Sequence, residues 1–110
     1  MLYELVAGNR ASILKLNPIM QGMMTVYQAA MRPLIEAGLL RVVQGGAAEG
    51  SYLAHHESVQ HVHITGSAAT HDVVAWGPGA EGAARKKAGT PLLQKPMTSE
   101  LGGVAPIILV

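Results

Sequence analysis

Residues 39–67 read LLRVVQGGAAEGSYLAHHESVQHVHITGS, and this stretch decides the fold. Residues 39–43, LLRVV, form a short β-branched apolar run, the composition of a buried strand. Gln44-Gly45-Gly46 interrupts it, and AAEGSYLAHH at 47–56 reads as a short helix. VQHVHIT at 59–65 alternates in character as a strand does and ends at Gly66. A strand, a glycine turn, a helix and a second strand in succession make the βαβ unit of a parallel sheet, whose neighbouring strands require a crossover.

The same alternation continues on both sides. LYELVAGNR reads as the end of a helix with Gly8 as its glycine cap, and RASILKL at 10–16 as a strand. From about Met20 to Ala37 the pattern is helical, with Val26, Ala30, Leu34 and Ala37 near 3.6-residue spacing, Pro33 kinking it and Gly38 stopping it. Downstream, Ser67 is the expected N-cap of a helix over Ala68–Trp76. GPGAEGAARKKAGT at 77–90 reads as a mobile basic turn with a short helical stretch. PLLQKP at 91–96 reads as a strand, SELGG at 99–103 as a turn and APIILV at 105–110 as the last strand. The expectation is one α/β unit with right-handed crossovers and a mostly parallel sheet.

Composition bounds the function. A chain of 110 residues holds one small domain. Hydrophobic residues make up 49% and charged residues 14%, against the roughly 25% charge of an ordinary soluble domain. The shortfall implies surfaces covered by a partner or by the rest of a longer polypeptide. Both ends, one entering in a helix and one stopping on an apolar β-branched run, read as interruptions of a fold. A net charge of +1 gives no case for nucleic acid. The absence of Cys excludes disulfides, thiolate metal sites and a cysteine nucleophile within these residues, and fits a reducing, cytoplasmic setting. MLYELVAGNR, with Glu4 and no apolar core run, does not read as a signal peptide, and no apolar stretch of these residues approaches membrane length.

In such sheets ligands lie beyond the carboxyl ends of strands. Four segments qualify: Lys15-Leu16-Asn17-Pro18, Gln44-Gly45-Gly46 with Gly50, Thr65-Gly66-Ser67, and Glu100-Leu101-Gly102-Gly103. The glycines at 45, 46 and 50 suit either a tight turn or close approach of backbone N–H groups to phosphate. Ser67 suits either a plain helix cap or a hydroxyl facing a cofactor, and Lys15 either a surface lysine or a ribose ligand. Glu100 is a lone carboxylate among glycines and apolar residues, a setting that suits a general base as well as a solvated turn. The five His residues lack the converging ligands of a metal site.

Together these segments resemble the aldehyde dehydrogenase superfamily. AGNRASILK is similar to the family's AGN-x-V-V-L-K strand, ITGSAAT to its F-T-G-S segment and SELGGVAP to its L-E-L-G-G-K-S-P signature. Their order and separations also fit, and residues 46–67 lie on the family pattern without a gap. The resemblance implies an α/β fold, a Rossmann-like parallel sheet with flanking helices, incomplete, with residues 1–110 as a partial NAD(P)-binding domain. It implies that Lys15 binds the adenosine ribose, that Gly46 and Gly50 border the nucleotide, and that Gly66 and Ser67 lie near the pyrophosphate and nicotinamide. Leu101 and Gly102 would line the nicotinamide pocket, and Glu100 would be the general base. The implied parent is a homo-oligomer that oxidises an aldehyde to an acid with NAD or NADP, through a cysteine thiolate carried beyond Val110. The 110 residues alone are therefore expected to be inactive.

Four positions depart from the pattern. Pro18 stands where NAD-preferring members often carry a ribose-binding glutamate, which leaves NADP admissible. His71 stands where many members have glycine, Val104 replaces the signature lysine, and Gln44 stands where glycine is common.

Overall fold

The computed structural model describes residues 2–102. The expected strand at 105–110, with Gly103 and Val104, lies outside the described residues. The chain divides into two compact units, Met1–Gly50 and Ser51–Val110. The first contains α1 (Leu2–Val6), β1 (Ser12–Leu16), a 3-10 turn (Pro18–Met23), α2 (Met24–Ala30), α3 (Arg32–Glu36) and β2 (Leu40–Gln44). Helix α4 (Ala47–His55) spans the division, and β3 (Val62–Gly66), α5 (Ala68–Trp76), α6 (Gly79–Ala88) and β4 (Met97–Leu101) belong to the second.

In the first unit β1 and β2 run parallel, paired from Ser12 with Leu40 to Leu16 with Gln44. Leu16 and Leu40 are the buried apolar side chains of this unit among the described residues. The crossover is where the sequence pattern and the backbone part company. The expected continuous helix over 20–37 is a 3-10 turn followed by two short α-helices, broken at Met31 (φ −101°, ψ 11°). Pro33 explains the break: it has no N–H to offer the preceding turn, and its ring excludes the carbonyl four residues back. Helix α3 restarts with Pro33 in its first turn, where the missing donor costs nothing. Gly38 stops α3 as expected, with φ +73° and its N–H on the Ile35 carbonyl at 3.0 Å. After α1 the left-handed residue is Asn9 (φ +48°), not Gly8.

In the second unit β3 and β4 also run parallel, from Val62 with Met97 to Gly66 with Leu101. Two expectations are corrected there. PLLQKP is irregular, because its backbone is committed to α5: the N–H groups of Leu92 and Leu93 both donate to the Ala75 carbonyl, at 2.9 and 3.1 Å. Pro91 and Pro96 have no N–H for a ladder in any case. Of the segment expected as a turn, SELGG, Ser99 to Leu101 are instead strand, and Gly102 (φ +73°) turns away. The short helical stretch expected within residues 77–90 is the ten-residue helix α6, which ends at left-handed Gly89. An Ala-rich sequence, an i,i+4 Glu81–Arg85 pair and basic residues in the last turn account for it.

Helix α6 is held to α5 by close backbone contact and by charge. A Cβ at Gly82 would lie 1.8 Å from the Gly77 carbonyl oxygen, so only glycine allows this approach. Lys86 Nζ donates to Asp72 Oδ2 at 2.6 Å, and this bond is the main reason the Asp72 carboxyl is held below the usual carboxylate range. Ala54, Ala75 and Leu93 are the buried apolar side chains of this unit among the described residues.

Candidate functional site

The first group of candidates gathers at the carboxyl end of the β1–β2 pair. Lys15, paired with Val43, is half-buried. Its Nζ reaches across the end of the ladder to donate to the carbonyls of Gly45 at 2.7 Å and Gly46 at 3.1 Å. Gly50 lies beside its stem, where a Cβ would meet Lys15 Cε at 3.3 Å. The structure thus brings Lys15, Gly46 and Gly50 together as the sequence expects. An ammonium group has three N–H donors; two serve the loop, which leaves one.

Glu49 is the residue that sequence reasoning missed here. Its Oε2 accepts the Gly46 N–H at 2.7 Å, closing the first turn of α4. The capping-box spacing, a carboxylate three residues after the cap, was the available signal. Bonds from its own N–H and from that of Gly46, with the nearby Lys15 ammonium, hold its carboxyl below the usual range. Gly45 is required by this arrangement: a Cβ there would fall 2.6 Å from Glu49 Cβ.

The second group lies at the carboxyl end of β3–β4. The register pairs Thr65 with Glu100 and Gly66 with Leu101, and the Gly102 N–H donates to the Gly66 carbonyl at 3.0 Å. Ser67 caps α5, its Oγ accepting from Thr70 N at 3.1 Å and lying 2.9 Å from Thr70 Oγ1. Gly66, Ser67, Glu100, Leu101 and Gly102 are therefore neighbours. Of the two readings of Ser67, the cap is realised. The Glu100 side chain is exposed and makes no hydrogen bond or ion pair among the described residues. Alternation along parallel strands puts His63, Thr65, Thr98 and Glu100 on one face. There His63 Nδ1 lies 2.8 Å from Thr98 Oγ1, a contact the sequence did not reveal because it depends on the register of β4.

Two of the departures, Pro18 and His71, occupy ordinary structural positions. Pro18 opens the 3-10 turn behind Asn17, whose Oδ1 accepts from Ile19 N at 3.1 Å. His71 sits in the first turns of α5 with Nδ1 3.3 Å from Asp72 Oδ1. Among the described residues no three His, Cys, Asp or Glu side chains converge as a metal site requires, and no helix is long and apolar enough to cross a membrane.

Known proteins resemble the chain in sequence. The chain is 39% identical over 84 residues to the 4-trimethylaminobutyraldehyde dehydrogenase of Mus musculus, a match covering 76% of this chain and 14% of that protein. It is 39% identical over 75 residues to the Homo sapiens protein of the same name, covering 68% of this chain and 13% of the relative. It is 43% identical over 72 residues to 4-trimethylaminobutyraldehyde dehydrogenase A of Danio rerio, covering 66% and 12%. The chain thus corresponds to a small fraction of the length of these relatives. No solved structure matches it significantly. The model of the aldehyde dehydrogenase family matches residues 1–110 from end to end, and the chain belongs to that family.

Proposed function

We propose that residues 1–110 form part of the NAD(P)-binding domain of an enzyme that oxidises aldehydes to carboxylic acids. The observation that carries this reading is the β3–β4 register, in which Glu100 of the E-L-G-G segment lies beside Thr65 of T-G-S and Gly102 bonds to Gly66. Lys15 donates its remaining N–H to a ribose hydroxyl, and Gly46 and Gly50 border the nucleotide. Gly66, Ser67, Leu101 and Gly102 line its nicotinamide end. Glu100, exposed and unpaired among the described residues, takes the proton from the water that releases the acid. The bound dinucleotide, NAD+ or NADP+, supplies the hydride acceptor. These residues include no Cys, so the thiol nucleophile of the family reaction belongs to another segment. The names of the relatives make 4-trimethylaminobutyraldehyde the first aldehyde to offer.

A second reading is favoured by the missing cysteine: a nucleotide-binding remnant, or a gene fragment with no activity of its own. A chimera separates the two. Residues 1–110 would replace the matching segment of the mouse relative, and aldehyde-dependent NAD(P)H formation would be followed. Turnover supports the enzymatic reading, and a folded chimera that binds dinucleotide without turnover supports the remnant. The purified 110 residues are expected to give no NAD(P)H from aldehyde, and turnover by them would refute assignment of the nucleophile to another segment.

A further inference from the structure

Glu49 and Lys15 hold opposite ends of one peptide group. Lys15 Nζ donates to the Gly45 carbonyl at 2.7 Å, and Glu49 Oε2 accepts the N–H of Gly46, which belongs to the same peptide, at 2.7 Å. The peptide is polarised along its own dipole and links an ammonium to a carboxylate. Packing fixes the carboxylate, since a Cβ on Gly45 would meet Glu49 Cβ at 2.6 Å and its Oε2 at 3.0 Å. The positive charge of Lys15 therefore arrives at the ligand side already compensated. A neutral hydroxyl needs only the third N–H. A dianionic phosphate needs uncompensated positive charge and would meet the Glu49 carboxylate instead.

We propose that Glu49 sets the nucleotide preference of this site, admitting the neutral diol of NAD+ beside Lys15 and disfavouring the 2′-phosphate of NADP+. The inference rests on Lys15 being the ribose-binding lysine. It reverses the expectation from Pro18: the acid absent there is supplied from the first turn of α4. The carboxyl of Glu49 is held below its usual range, chiefly by backbone N–H groups, so it is charged at neutral pH.

Calorimetric titration with NAD+ and NADP+ tests this in the mouse-relative chimera, which supplies the cover the isolated residues lack, with residues 1–110 as wild type, with Glu49→Gln and with Glu49→Thr. Both variants remove the charge; Gln keeps an oxygen that reaches the Gly46 N–H and Thr does not, so the pair separates the charge from the bond, and circular dichroism checks that each stays folded. The wild type is expected to bind NAD+ more tightly. The neutral variants are expected to narrow the gap by about fivefold, through tighter NADP+ binding, the scale of an exposed charge acting through solvent. An unchanged ratio with NAD+ binding intact, or a wild type that prefers NADP+, overturns the role of Glu49 and leaves the nucleotide reading standing. A wild type that binds neither dinucleotide overturns both.

Discussion

Glu100 and Glu49 show how differently one side-chain type is used in this chain. Glu100 projects from a strand with no bond among the described residues, whereas Glu49 is folded onto its own helix. A free carboxylate can take a proton from water; a bonded one fixes a loop. Glu100→Gln keeps the shape and removes the basicity, so in the mouse-relative chimera it is expected to lower kcat by about 100-fold or more with little change in dinucleotide affinity. A parallel loss of dinucleotide affinity would instead mark Glu100 as a binding residue. Glu49 makes a prediction in pH. Its carboxyl titrates lower in the folded chain than in the unfolded one. Its contribution is therefore complete above the unfolded value and is lost as pH falls through the folded value. Hydrogen exchange at the Gly46 N–H is expected to accelerate, beyond the intrinsic pH trend, only as pH falls below the ordinary carboxylate range. Glu49→Gln should abolish that extra acceleration, and its persistence in the variant would assign the effect to another group.

Elements followed the sequence where local chemistry and pairing agreed. Helix α4 starts after Gly46, β3 ends at Gly66 and Ser67 caps α5, all at positions marked by glycine or a capping hydroxyl. The candidate site was legible for the same reason, since the segments bearing Lys15, Gly46, Gly66 and Ser67 all lie at strand ends. Residues 91–101 were illegible because distant backbone decided them. Leu92 and Leu93 lend their N–H groups to α5, and the polar Thr98-Ser99-Glu100 run becomes a strand only because β3 offers it a ladder. Nor does sequence announce that Gly82 is a contact between elements. Its N–H bonds to Pro78 while its Cα faces the Gly77 carbonyl, so α6 is docked through a point with no room for a methyl group. Gly82→Ala raises helix propensity by about 1 kcal/mol, yet is expected to destabilise the second unit by about 2–3 kcal/mol because backbone must move. Denaturant midpoints of the two proteins measure the sign, and a stabilised variant would show that the contact yields.

At the scale of the whole molecule, few of the described side chains are buried. Among the described residues the buried apolar set is Leu16, Leu40, Ala54, Ala75 and Leu93, while Val6 and Ile19 are 85% and 92% exposed. The described strands form two ladders of two strands each. Parallel strands ordinarily depend on cover for both faces, and two-stranded pieces are marginal in water. Low surface charge compounds this, since 14% charged residues leave apolar surface with few gatekeepers. The isolated chain is therefore expected to bind the dye ANS at neutral pH and to unfold in urea over a broad transition. Its slope should fall below the roughly 1–3 kcal/mol/M of small cooperative domains. Saturating dinucleotide should steepen and shift that transition, because a ligand that binds only the folded state stabilises it by mass action. A steep transition without dye binding or dinucleotide dependence would show instead that the two small ladders and their helices suffice, and that the exposed apolar residues need no cover.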